Sequence, residues 1–273
     1  MPKLIDITPE QRFIGLFIGE SGTGKTCAEC SFPKPLHVMD FDGRIRGAMG
    51  HKWLPMEGIT YNYYPPREQN LAGNVDKYLE GLLTASSVGQ PIPKTLILDS
   101  VTSECFAMII QALSLTHNKD NRGTDQRAGK FLGTIPMPGP EDYGFEATFT
   151  YGMFSFFRSI PIQNIIVSAH VIPTYGKEDP DNPYSNNVVT GEKLSVRDKI
   201  GANIGIYFDH IFRFRKTFSA NAEKFTVQFR SDIARTAYSG LPNGELDITG
   251  KNFYNEILGQ YVKETQNVPS NSI

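Results

Sequence analysis

Cysteine is scarce: three residues in 273, too few for a disulfide framework, so the chain is expected in a reducing cytoplasm. Cys27 and Cys30 make a Cys-x-x-Cys. A zinc site of that kind wants a second pair, and only Cys105 remains. Two small residues packing a helix against a sheet is the expectation instead. An excess of charge is lacking too, with 27 basic against 29 acidic residues and a formal net charge of −2. That gives no global pull toward nucleic acid, so any such contact must come from local patches. No apolar run approaches the ~20 residues of a membrane span. The opening Met1-Pro2-Lys3-Leu4-Ile5-Asp6 lacks the apolar core of a signal peptide. No membrane role and no internal repeat is expected. What is present suffices for a packed core: 40% hydrophobic and 21% charged residues.

One stretch organises the rest. Gly19-Glu20-Ser21-Gly22-Thr23-Gly24-Lys25-Thr26 fits G-x-x-x-x-G-K-[ST], the phosphate-binding loop. Before it, residues 12–18 are short, apolar and of strand length. After it, a helix can run until Pro33. Glycines let backbone N–H groups turn inward around a polyphosphate. Lys25 can reach the β- and γ-phosphates, and the Thr26 hydroxyl can hold Mg²⁺. The nucleotide-contacting residues are expected to run from Gly19 through Cys27.

Further strands are expected at 35–40, 59–64, 95–99 and 163–170, and helices at 70–86, 102–115, 144–160 and 251–262. In the second of these helices Phe106, Ile109, Ile110 and Leu113 are assigned to one side. Two long polar stretches, 117–140 and 173–197, read as loops, and 209–215 with 224–230 as a hairpin. Strands alternating with helices imply an α/β fold with a mostly parallel sheet covered on both faces. Residues 1–262 read as one domain and 263–273 as a disordered tail.

A nucleotide phosphate brings Mg²⁺, and Mg²⁺ wants a carboxylate. Asp99, after Thr95-Leu96-Ile97-Leu98, is a Walker-B type acid for that place. The competing reading is a strand-end Asp capping the next helix. Ser100 follows it, so a catalytic Glu beside that Asp is missing and a base must come from elsewhere. Asp42, at the end of the strand after the first helix, is the candidate, because such strand ends line one crevice. Glu20 and Glu104 are the next candidates.

Asp40-Phe41-Asp42-Gly43, Leu96-Ile97-Leu98-Asp99-Ser100-Val101 and Ile165-Ile166-Val167-Ser168-Ala169-His170 resemble three successive motifs of the RecA-like ATPase core. With Phe32-Pro33-Lys34-Pro35-Leu36 and Phe208-Asp209-His210-Ile211-Phe212-Arg213, the chain is similar to phage-encoded RecA-like nucleotide-binding proteins linked to single-strand annealing recombination. The resemblance covers about Phe13 to Arg235. It implies an ATP- and Mg²⁺-dependent ATPase of the host cytoplasm with a RecA-like core and a C-terminal hairpin. Asp42 stands where the family carries a Glu, one methylene longer, so slow hydrolysis is implied. His170 stands at the γ-phosphate-sensing position. A ring or filament of copies is implied, with an arginine given to the neighbour's nucleotide: Arg235 first, Arg230 second. Single-stranded DNA is an implied partner, with a single-strand binding or annealing protein as another. Its contacts would fall on the first long loop through Lys119, Arg122, Arg127 and Lys130. The second long loop, with Lys177, Lys193 and Arg197 among several acids, is mixed in sign. Two other readings share the phosphate loop: a nucleotide-dependent switch or assembly factor with a protein partner, and a small-molecule kinase. The kinase lacks its lid, since 118–130 holds only Arg122 and Arg127.

Overall fold

Strand β1 (Phe13–Ile18) is buried along its whole length. Its side chains alternate between two cores. Ile14, Leu16 and Ile18 face one, Phe13 and Phe17 the other. A strand apolar on both faces belongs inside a sheet covered on both sides. The computed structural model describes residues 12–116, 124–125, 135–136, 138–178, 181, 184–219, 222–230, 234–236, 241 and 243–259. Helix α1 (Lys25–Cys30) leads to β2 (Leu36–Asp40), a 3-10 turn (Ile45–Gly50) and β3 (Ile59–Tyr63). Then come α2 (Leu71–Ser87), β4 (Thr95–Asp99) and α3 (Val101–Thr116). The short β5 (Thr124–Asp125) and β6 (Ile135–Pro136) pair with each other. Helix α4 (Pro140–Ser159), β7 (Asn164–Ala169), β8 (Val171–Lys177), β9 (Asn187–Leu194) and α5 (Asp198–Asn203) follow. The chain ends in β10 (His210–Ser219), β11 (Ala222–Gln228), β12 (Glu245–Asp247) and a π-helical turn (Phe253–Leu258).

The main sheet has the order β12-β11-β10-β1-β7-β4-β2-β3. From β10 to β3 all neighbours are parallel; β11 and β12 add antiparallel. This is the expected α/β plan, a mostly parallel sheet with a C-terminal hairpin. A strand, β7, intervenes between the loop-bearing β1 and β4 with Asp99. Helices α2, α3 and α4 cover one face through Val75, Leu79, Met108, Phe154 and Phe157. On the other face α1 and the C-terminal turn enclose an aromatic cluster, in which Phe17 lies 4.9 Å from Phe214 and 5.7 Å from Phe253 between ring centroids. Cys30 is buried there and Cys27 packs against it, and all three cysteines are free thiols.

Four expectations need correction. Residues 173–197 are not a loop. Val171–Lys177 and Asn187–Leu194 form an antiparallel hairpin, followed by α5. It carries no alternation because most of its residues are exposed on both faces, and Pro173, Gly176 and Gly191 hide it further. In α3 the buried stripe is Val101, Cys105, Met108 and Ala112, while Phe106 is 59% exposed. Ile109, Ile110 and Leu113 are half-buried, on the flank of that stripe. Helix α4 starts four residues early, with Pro140 in its first turn and the Asp142 carboxylate accepting from the Gly139 N–H at 2.7 Å. The expected last helix is a short π-helical turn within the described residues.

Candidate functional site

The carboxyl ends of β1, β7, β4 and β2 lie along one edge. Ile18 is level with Ala169, and Asp40 with Asp99. A parallel sheet opens its crevice at that edge. The phosphate loop leaves β1 there. Gly19 has no room for a side chain, since a Cβ would stand 2.6 Å from the Phe214 carbonyl oxygen. Gly24 precedes α1 at φ 88°, left-handed backbone that favours glycine. The Thr23 hydroxyl ties the loop to the Glu20 carbonyl at 2.8 Å.

Lys25 is 5% exposed, and its Nζ donates to the Gly19 and Glu20 carbonyls at 2.8 Å each. Burial lowers its pKa, opposed by the charges of Glu29, Asp99 and Asp42. The Thr26 hydroxyl donates to Asp99 Oδ2 at 3.0 Å, and the Ser168 hydroxyl to Oδ1 at 2.6 Å. Burial and then the Asp42 charge push the Asp99 carboxyl up. The two predicted metal residues therefore meet, 73 positions apart in sequence. A hydroxyl beside a buried carboxylate is a hard oxygen set that suits Mg²⁺, an ion that usually keeps few protein ligands and completes its shell with phosphate and water. Thr26 and Asp99 fit that ion and would hold it, and when bound it would supply charge neutralisation to the phosphates. Among the described residues no group of three or more His, Cys, Asp or Glu could hold another metal.

Asp42 sits beside them, its backbone N–H bonded to the Asp99 carbonyl at 3.1 Å. Its carboxylate accepts from Ser100 at 2.9 Å, from Ser103, and from His170 Nε2 at 2.9 Å. Burial alone would raise its pKa, but the donors His170, Ser103 and Ser100 outweigh it and hold the group at about 2. Sequence reading assigned Asp42 and His170 separate roles; the fold makes them a hydrogen-bonded pair. The His170 backbone N–H is fixed by the Thr102 hydroxyl at 3.0 Å.

A cleft of about 480 Å³ joins these groups, within the size range of small-molecule sites. Its wall on the β2 side carries Arg44 and Trp53, and on the β11–β12 side Phe225, Ile248 and Lys251. None of these was anticipated. Ser168 and Glu29 were missed too, although a polar residue inside an apolar strand or helix was a readable signal. Glu29 is fully buried, and neither carboxylate oxygen has a hydrogen-bond partner among the described residues. Burial and the Asp99 charge push it well above the usual range.

Other expected residues lie elsewhere. Arg235 pairs by its backbone with Ile211, and its guanidinium donates to the Gly205 and Phe208 carbonyls. Arg230 donates to Asn243 at 3.1 Å. Neither lines the cleft. Lys119, Arg122, Arg127 and Lys130 lie outside the described residues, as does the tail 263–273. Glu104, a fallback base, is buried between α3 and α4, where the Thr150 hydroxyl donates to it at 3.0 Å. No described helix is long and apolar enough to cross a membrane.

No family model matches the chain, and no curated protein does. Among solved structures, a KaiC-like protein of the hyperthermophilic archaeon Pyrococcus horikoshii OT3 overlaps it at 10% identity with a TM-score of 0.44, over 86% of this chain and 85% of that one.

Proposed function

We propose that this protein, as a single RecA-like domain over residues 1–262, binds ATP with Mg²⁺ and hydrolyses it. The observation that carries the reading is the bond of Thr26 to Asp99 at the mouth of the phosphate loop. A chance glycine-rich loop would not place a buried strand-end carboxylate on its own Thr. Asp99 ends β4, Asp42 follows β2 and His170 follows β7, all on one side of β1. The γ-phosphate end of the triphosphate therefore faces them. The nucleoside points the opposite way, to the wall of Phe225 and Ile248, where Phe225 lies 3.4 Å from the place a Gly24 Cβ would take. Lys25 exchanges its two loop carbonyls for phosphate oxygens. The Asp42–His170 pair orients water at the γ-phosphate. With its lone pairs engaged by three donors, Asp42 is a weak proton acceptor, in keeping with slow turnover.

Lys25→Ala removes the cation inside the loop and is expected to abolish hydrolysis and greatly weaken ATP binding, read by equilibrium binding and phosphate release. Turnover like that of the natural chain would remove the assignment.

The finer proposal is action on single-stranded DNA in phage recombination or replication, as a ring or filament that works with a single-strand binding or annealing protein. One observation favours DNA over a purely protein partner. The β8–β9 hairpin springs directly from His170 and exposes Tyr175 and Tyr184, 65% and 93% accessible, beside Lys177. Aromatic faces near cations suit stacked bases on a charged backbone track.

A further inference from the structure

We propose that Arg44 supplies, from within the same chain, the positive charge that holds the γ-phosphate in the transition state. The proposal rests on the ATP-hydrolysis reading and replaces the expectation that a neighbouring copy must lend an arginine.

Arg44 lines the cleft, and its Nη1 donates to Ser21 Oγ at 2.6 Å. Ser21 is the third residue of the phosphate loop, so the guanidinium stands over the phosphates' own cradle. Its backbone is fixed. The buried Asp40 carboxylate accepts from the N–H groups of Gly43, Arg44 and Ile45 at 2.7, 3.3 and 3.4 Å. The turn they form, with Gly43 at φ 69°, sets Arg44 two residues after Asp42, on the carboxylate side of β1. That is the side to which the γ-phosphate points.

The charge of Arg44 is also uncommitted. Among the described residues its hydrogen-bond partner is a neutral hydroxyl, and it has no carboxylate within ion-pair distance. Two other arginines near this edge are engaged, and Arg46, in the 3-10 turn, does not line the cleft. Arg213 is buried in a two-pronged pair with Glu192 at 2.7 and 2.5 Å, and Arg215 pairs with Glu245 at 3.1 Å. Lys251 lines the cleft on the nucleoside side and is tied to the Asp247 carbonyl at 2.8 Å. An arginine presents a planar fork of N–H donors that matches phosphate oxygens.

In the reaction a water oxygen bonds to the γ-phosphorus, and the bond from that phosphorus to the bridging oxygen breaks. The electron pair of that bond stays on the β-phosphate of ADP. ATP⁴⁻ and H₂O give ADP³⁻, HPO₄²⁻ and one proton. Arg44 transfers nothing. It exchanges Ser21 for the γ oxygens and offsets the charge gathering there.

The experiment compares the natural chain with Arg44→Ala and Arg44→Gln, the second keeping a neutral donor for Ser21 if the first folds poorly. Both variants are expected to bind ADP as the natural chain does. Turnover should fall ~10³-fold or more, the scale of an arginine finger. Trapping of ADP with aluminium fluoride, which imitates the transferring phosphoryl group, should be lost. A mixture of Arg44→Ala with Lys25→Ala should remain inactive, because each chain lacks part of its own site. Revival in the mixture, or aluminium fluoride trapping intact in the variants, would overturn the proposal. A natural chain that binds no ATP would instead overturn the hydrolysis reading on which it stands.

Discussion

Asp42 shows how a single carboxylate can be re-assigned by its neighbours. By position it reads as a base, yet Ser100, Ser103 and His170 all donate to it. Those bonds hold its pKa at about 2, below the ordinary value of 3.8. A depressed carboxylate stabilises the fold above its unfolded pKa, and that contribution is lost as pH falls through the folded value. The Asp42 contribution is therefore complete at neutral pH and disappears between about pH 4 and pH 2. Asp42→Asn leaves the loop and Asp99 intact, so ATP binding is expected to persist. Turnover should drop by ~10²–10⁴-fold, the usual scale for losing a water-orienting or proton-accepting group. Unchanged turnover in single-turnover kinetics would place that role outside the Asp42–His170 pair.

At the scale of elements, the α3–α4 contact contains a charge problem of its own. Glu104 is fully buried and has a pKa pushed up to about 8, by burial first and with the Thr150 hydroxyl bonds opposing. The folded chain then holds a proton that the unfolded chain releases near 4.5. Stability linked to this group is present below about pH 4.5 and falls as pH rises toward 8. Glu104→Gln keeps an acceptor for Thr150 and removes the titration. The variant should gain on the natural chain across that window, by an amount on the order of a few kcal/mol at its upper end. Urea midpoints measured at several pH values test this. Parallel curves for the two chains would mean that Glu104 titrates normally. The site depends on this contact only indirectly, since α3 also carries Thr102 and Ser103, which fix His170 and Asp42.

On the proposed ATP-binding function, a bound nucleotide would act on the whole molecule through the β8–β9 hairpin. The β8–β9 hairpin starts directly after His170, the one residue between β7 and β8, and the Ser195 N–H returns to the His170 carbonyl at 2.8 Å. A change at the γ-phosphate therefore has a short path to the exposed Tyr175 and Tyr184. A labelled single-stranded oligonucleotide is expected to bind more tightly with ATP than without. Its affinity should fall steeply with salt, with a logarithmic slope of about −0.7 per phosphate neutralised. Binding that ignores both ATP and salt would favour the reading of a switch with a protein partner.

The sequence by itself located the glycine-rich loop at Gly19–Thr26, the strand before it, the strand-end Asp99 and the mostly parallel α/β plan. Those features are local: contiguous apolar runs, glycines at fixed spacing, an acid at a strand end. It also marked Asp42 and His170 as positions of interest. Only the tertiary structure decided that these two bond to each other, that Arg230 and Arg235 are engaged away from the cleft, and that Arg44 reaches Ser21 from 23 residues away. The β8–β9 hairpin stayed hidden because strands exposed on both faces leave no period-two pattern to read. The phase of α3 was misread because its buried stripe mixes Met108 with the smaller Val101, Cys105 and Ala112 while the large Phe106 faces solvent. Side-chain size along a helix therefore does not mark which face is buried; the elements packed against it decide that.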